Sequence, residues 1–330
     1  MRQRPAIKAA VLFDLRPACN FAQIMVQQQT MPVETQRMPR NPKAIDVLGQ
    51  SYVVSGKFLK TASLEREYQE DMADPEETAR ALKDRKVDIL KFWQRVPDSE
   101  AKFNYYKEWR QIAALPISTY QHWWEKQVTQ KVRNKVRKAR KQGVVVSEVP
   151  FSDDLARGAV GIFNHAPIRR GKPMRHYGKT FEVAKAELGM ELSESVFVAA
   201  HYQNELIGFI KFIVTDRSAM MSVILDNTDH RDKAPMNGML AKVVEICIER
   251  KIPYFTYTLW RRGEHGHFQQ SNGFVKFPVP EYFVPLTLKG RLALMMRLHK
   301  GIKGVLPEKA RGWLIDMRAK WNMMRYARNH

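Results

Sequence analysis

Two cysteines in 330 residues, Cys19 and Cys247, are too few and too far apart for a disulfide framework, a thiol redox pair or a cysteine zinc site. No apolar run is long enough to cross a bilayer. The best N-terminal candidate, residues 9–13, stops at Asp14 and is too short for a signal-peptide core. Acid is scarce as well: 34 Asp and Glu stand against 55 Lys and Arg, a formal charge of +21. That excess implies a polyanionic partner, whether nucleic acid, anionic membrane or phosphorylated substrate, without choosing among them. The chain also lacks a Walker phosphate loop, a dinucleotide fingerprint and a Gly-x-Ser-x-Gly nucleophile elbow. His265 and His267 form a His-x-His pair with no further ligands at metal spacing, so no metal is expected. Together these absences predict a cytoplasmic protein, peripheral on the inner face of the membrane if it meets one.

An apolar fraction of 44% is enough for a sizeable core in one large domain or two ordinary ones. Residues 1–44, with Gln27 to Gln29 and three prolines from Pro32 to Pro42, read as a flexible leader in which Met31 and Met38 are alternative starts. Residues 45–118 read as a small N-terminal α/β subdomain. Its strands are expected at 52–54, 89–96 and 109–115, and Asp74 caps a helix that has Pro75 at its first position and runs to about Asp84. Residues 119–143 read as one basic helix. Thr119 is its N-cap, Trp124, Val128, Val132, Val136 and Ala139 form its apolar stripe, and Gly143 is its stop.

Residues 144–287 follow as a strand, two helices, three antiparallel strands with a hairpin at Asn204-Glu205, a long helix from Pro235, a strand, a short helix and a final strand. This order, the run Asn204-Glu205-Leu206-Ile207-Gly208-Phe209 and the Asn272-Gly273-Phe274 turn resemble the GNAT acyltransferase superfamily. The preceding Trp123-Trp124 and Arg133-Asn134-Lys135-Val136-Arg137-Lys138-Ala139 run is similar to its FemAB-like branch, which includes cell-wall peptidyltransferases and relatives found with polysaccharide genes. The resemblance implies an α/β (α+β) fold, with a mixed, mainly antiparallel central sheet flanked by helices. The small N-terminal extension and a basic helical tail, 288–330, complete it.

The same resemblance implies acyl or aminoacyl transfer to an amine acceptor in cell-envelope or polysaccharide synthesis. The donor is then acetyl-CoA or another acyl-CoA, or aminoacyl-tRNA as in the FemAB-like enzymes. An acyl-CoA would lie along Val223, Ile224 and Leu225, with its phosphates at Arg231, Lys233, Ala234, Asn237 and Gly238. Arg231 matches the family pattern; Ala234 and Met236 stand where small residues are usual, and Pro235 removes one N–H. Asp226 and His230 stand where a base is expected and Tyr257 where an acid is expected; Phe268 and Gln269 replace the usual family tyrosine. The loop carrying Arg169, Arg170, Lys172, Arg175, His176 and Tyr177 suits an anionic small-molecule or glycan acceptor.

Most of the charge sits in two places. Residues 119–142 hold eight Lys and Arg against Glu125, and residues 289–330 hold eleven against Glu308 and Asp316. The first suits a tRNA backbone, the second an anionic membrane surface, since it interleaves Leu292, Met295, Trp313 and Trp321 with its charges. The alternative is a catalytically inactive GNAT-fold module that binds nucleic acid through its basic helix. A gap between strands 220–225 and 254–257, opening onto Asp226, separates the two: an enzyme needs it open.

Overall fold

The computed structural model describes residues 44–169, 172–261 and 263–300, with Met317, Trp321 and Met324 beyond them. The expected leader as far as residue 43, Arg170, and most of the tail after 300, Trp313 included, lie outside the described residues. All described residues belong to one compact unit, Thr35–His330.

In chain order the elements are β1 (Ala44–Val47), β2 (Gln50–Ser55), β3 (Thr61–Leu64), α1 (Pro75–Lys83), β4 (Ile89–Trp93) and β5 (Tyr106–Pro116). Next come α2 (Tyr120–His122), α3 (Gln130–Lys141), β6 (Val145–Val149), α4 (Asp153–Asn164), the short β7 (Ile168–Arg169) and β8 (Lys172–Pro173), and α5 (Phe181–Leu188). The rest is β9 (Ser195–Tyr202), β10 (Glu205–Val214), β11 (Ala219–Asp226), α6 (Pro235–Glu249), β12 (Tyr254–Leu259), α7 (Gly263–Ser271), β13 (Val275–Pro285) and α8 (Leu288–Met295). Local chemistry sets the helix starts. The Asp74 carboxylate accepts from the amides of Glu76 and Glu77 at 2.9 Å, and Ser152 accepts from Leu155 at 3.2 Å.

Eleven strands form one sheet in the order β1-β2-β3-β4-β13-β5-β12-β11-β10-β9-β6. Only the β3–β4 and β11–β12 pairs are parallel, as the resemblance implies for a mainly antiparallel sheet. Side chains alternate between two cores. Ile210 and Phe212 join α3 and α6 through Val132, Val136, Met239, Leu240 and Val243, while Phe209 joins α4 and α5 through Phe163, Ala184 and Leu188.

Two features differ from the reading of the sequence. The helix expected over 119–142 is two pieces: Trp123–Gln127 winds as a π-turn after α2, and Val128 and Thr129 are extended before α3 begins. Arg133 Nη1 binds the carbonyls of Trp124 and Val128 at 2.9 and 2.8 Å, supplying acceptors' partners that the broken helix lacks. Trp123 rather than Trp124 is the fully buried indole, and its Nε1 donates to the Asn272 carbonyl at 3.2 Å. Secondly, β5, from the N-terminal residues, lies between β12 and β13. The strands before residue 119 and those after it therefore make a single sheet.

Candidate active site

The parallel strands β11 and β12 pair only at Ala219 with Phe255 and Met220 with Thr256. Beyond that point β11 runs on against β10 alone, with Val223, Ile224 and Leu225 opposite Lys211, Ile210 and Phe209. β12 turns away through an irregularity between Thr256 and Leu259, where Thr258 has φ +48°, a region that β-branched residues avoid. The fully buried Gln269 holds this bend. Its Nε2 donates to the carbonyls of Tyr257 and Leu259, both at 3.3 Å, and its Oε1 accepts from the Arg261 amide at 3.0 Å. The Val223–Leu225 stretch thus has a strand edge facing the gap that the sequence reading asked for.

Asp226 closes β11 at the mouth of this gap and is buried. Arg169 Nη2 donates to its backbone carbonyl at 2.6 Å and to Oδ1 at 2.8 Å, and Arg231 Nε lies 3.6 Å from Oδ2. Arg169 therefore reaches from the β7–β8 hairpin to the end of β11, joining two expected sites, acceptor loop and base, in one ion-paired group. The loop is pinned by Asn164, whose side chain binds the Gly178 amide and the Lys179 carbonyl. His176 stacks on Phe163 at 4.7 Å and faces Lys179 Nζ at 3.0 Å; burial, then the Lys179 charge, holds its pKa below the usual histidine value. Arg175 and Tyr177 are exposed, and Lys172 lies in β8.

His230 and Tyr257 make their described contacts elsewhere. The His230 ring lies 5.8 Å from Tyr202 with Nε2 3.9 Å from Glu205, over the β9–β10 hairpin, and its Nδ1 is buried without a hydrogen-bond partner. Tyr257 sits on β12 with Phe274 at 5.9 Å and Phe268 at 6.2 Å.

The start of α6 differs from the amide cradle that the resemblance implies for an acyl-CoA. Residues Thr228–Lys233 form a 3-10 turn, Ala234 has φ +55°, and Pro235 has no N–H. The Ala234 amide is taken by the Arg231 carbonyl and the Gly238 amide by that of Ala234. Asn237 is buried and donates to Asn272 at 3.1 Å, while a Cβ on Gly238 would meet Val146 at 3.3 Å and Ala139 at 3.5 Å. Those two residues face α7, β6 and α3 rather than a ligand. Lys233 lies over the Tyr202 ring at 4.8 Å, beside Asp232. Arg231 alone of the phosphate set points toward the gap, through Asp226.

A cavity of about 40 Å³ lies on the sheet face away from α6, where β11 and β12 begin to part. Tyr68, Trp93, Arg95, Ile112, Met220 and Thr258 are among its walls. Trp93 Nε1 and Arg95 Nε are buried donors without partners, although the Arg95 Nη atoms bind Asp71, Asp216 and the Gln69 carbonyl. Burial and then the neighbouring Glu67 push the Tyr68 hydroxyl up to about 12, so it stays protonated. Both N–H groups are sealed in the wall of the cavity. No motif marked these residues, because β4 and β12 bring them together only across the sheet. Among the described residues no group of His, Cys, Asp and Glu could hold a metal ion.

No family model and no curated protein matches the chain. Solved structures do. A C-terminal domain assigned to a lysylphosphatidylglycerol synthetase of Agrobacterium fabrum matches with a TM-score of 0.53 at 12% identity, over 76% of this chain and 86% of that one. The structure of L-PGS from Bacillus licheniformis matches with a TM-score of 0.52 at 11% identity, over 76% and 85%. FemX matches with a TM-score of 0.52 at 10% identity, over 76% and 89%. Likeness at such identity is a likeness of fold, and it agrees with the parted parallel strands and the sheet order: the chain has a GNAT-like fold of the form that FemX and these two structures share.

Proposed function

We propose that this protein transfers an aminoacyl group to an amine acceptor in cell-envelope or polysaccharide synthesis, with aminoacyl-tRNA as donor. The observation that carries the reading is the gap between β11 and β12, with an exposed basic helix leading to its mouth. Lys131, Lys135, Arg137, Lys138 and Lys141 are exposed on α3, and α3 touches the turn Thr228–Lys233. A row of cations along a helix suits a phosphate backbone, while at the start of α6 the Ala234 and Gly238 amides are taken and Pro235 has none for a pyrophosphate. One similar structure is named for lysylphosphatidylglycerol synthesis, and that name supports an aminoacyl donor and an envelope product.

In the transfer an amine attacks the ester carbonyl, the ester C–O bond breaks, and the ribose hydroxyl leaves with a proton while the amine loses one. Both carboxylate oxygens of Asp226 face guanidinium groups, so its role is to hold Arg169 for an anionic acceptor. His230 and Tyr257 remain the candidates for proton transfer. The test is to incubate the purified protein with charged tRNA and, separately, with acetyl-CoA, and to weigh amine-bearing envelope precursors by mass spectrometry. A product that depends on charged tRNA is expected. Tight tRNA binding with no product from either donor would make the protein a nucleic-acid-binding module instead.

A further inference from the structure

α8 is fastened hard against the sheet on one side and carries apolar side chains in solvent on the other. Thr287 caps it through the Gly290 amide at 3.0 Å and binds Asp88 Oδ1 at 2.9 Å, while Lys289 binds Asp88 Oδ2 at 3.0 Å. Gly290 has no room for a side chain, since a Cβ there would lie 2.1 Å from the Asp88 carbonyl. Ala293 and Leu294 are buried, and the turn after the helix is held by His299, wedged against Phe283 and paired with Glu108 at 3.0 Å. The outer side is different. Leu288 is 78% exposed, Leu292 58% and Met295 75%, at i, i+4 and i+7 on one helical face, and Met296 and Leu298 continue the patch. Arg291 and Arg297 are exposed beside them. Further along, Met317, Trp321 and Met324 are helical and exposed at the same i, i+4, i+7 spacing.

We infer that this face docks on an anionic lipid bilayer. Leucine, methionine and tryptophan with arginine and lysine at their flanks are the side chains of an interfacial helix, the apolar ones entering among the acyl chains and the cations meeting lipid phosphates. Charge selects the occupant. A second copy would bring together two chains of +21, each with eleven basic and two acidic residues in 289–330, whereas an anionic surface meets that charge with its opposite. The helix is fastened to β4 and β13 through Asp88, Phe283 and their neighbours, so docking would hold the sheet itself close to the bilayer. Membrane contact through this face does not require turnover, and the two are measured separately.

The experiment is co-sedimentation of the full chain with sucrose-loaded vesicles of equal parts phosphatidylglycerol and phosphatidylcholine, against vesicles of phosphatidylcholine alone. Binding to the anionic vesicles at low salt and its weakening at high salt are expected. Leu292→Ser with Met295→Ser keeps the charge and touches only exposed positions, and it should weaken binding by roughly tenfold or more, since each lost apolar contact with the acyl region is costly. Lys135→Glu with Lys138→Glu on α3 should leave most of the binding in place. Circular dichroism checks that each variant is folded. Failure of the wild type to sediment, loss of binding in the α3 variant alone, or a wild-type dimer that Leu292→Ser with Met295→Ser splits into monomers would overturn the proposal.

Discussion

Asp226 tests whether the group at the end of β11 does chemistry or holds something that does. Its carboxylate is buried beside Arg169, itself little exposed, and an asparagine there keeps the shape while removing the charge that both guanidiniums face. Asp226→Asn should therefore cost about 1–3 kcal/mol of stability, the range for spoiling a buried charged hydrogen bond while its backbone carbonyl partner remains. If Asp226 positions Arg169, steady-state kinetics on an anionic acceptor should show KM raised by roughly tenfold with kcat changed only a few-fold. A kcat fall on the order of 10² at unchanged KM is instead the mark of a base, and would return Asp226 to that role. Part of this group was legible in the sequence. The resemblance located Asp226 and Arg231 beside the helix start, and the loop's charge singled out Arg169. That Arg169 and Asp226, 57 positions apart, are one ion pair was not legible, because nothing local in either segment encodes the partner. The buried Trp93 and Arg95 left still less trace: an isolated tryptophan and an arginine in a strand-like run look like packing and surface.

Elements were legible where caps and periodicity agreed and were misread where a side chain overrode them. α1, α6 and the hairpin β9–β10 stand within a few residues of where Asp74, Pro235 and Asn204-Glu205 placed them. The stripe through Trp124 and Val128 suggested one helix because its spacing is helical, yet the π-turn shifts the phase and buries Trp123 instead. Lys211 shows a related override. A lysine in the middle of β10 is an unlikely core residue, but its Nζ donates to the carbonyls of Leu188 at 3.0 Å and Met190 at 2.5 Å, capping the end of α5. Burial lowers its pKa from 10.5 to about 8, against a small opposing pull from Glu191. The folded value lies below the unfolded one, so between about pH 8 and 10.5 the unfolded chain holds the proton that the folded chain has given up. Stability of the wild type relative to Lys211→Met should be flat below about pH 8 and should climb as the pH rises through that window. Urea unfolding of both proteins across that range checks it. The comparison is needed because Cys247 and Tyr68, each pushed up to about 12 chiefly by burial, pull the other way at high pH in both proteins and cancel in the difference. A difference curve with no slope would mean that the lysine stays charged in its pocket.

At the scale of the molecule, the reading of a small N-terminal subdomain followed by an acyltransferase domain captures the order of the elements but not how they are joined. The segment 109–115 was visible as a strand from its own residues. Its place between two strands that come more than a hundred residues later was not, since strand patterning reports a half-buried surface and not the neighbour that covers its edges. In the sheet, β5 pairs along its length with β13 from Val275–Ala114 to Phe283–Tyr106, and with β12 from Tyr254–Pro116 to Leu259–Ile112. Ile112, Ala113, Ala114 and Leu115 are buried there on both faces. Ion pairs add a second tie: Arg66 meets Glu191 and Glu194 between α5 and β9, while Arg95 meets Asp71 and Asp216 and Arg217 meets Asp71 and Asp98, so the segment after β3 is clamped to the α5–β9 connection and to the β10–β11 turn. A chain begun at residue 119 would keep every helix and strand assigned to the acyltransferase unit and lose the strand at the centre of the sheet. It would leave β12 with one unpaired edge and β13 with neither of its partners, baring Phe255, Phe277 and Val279, which is the pattern that drives aggregation. The expected result is material that elutes as aggregate and melts without a cooperative transition, while the full chain unfolds in one. A soluble 119–300 fragment with a sharp melt would show that β12 and β13 can pair with each other directly, and that residues 44–116 are an addition to the sheet rather than part of it.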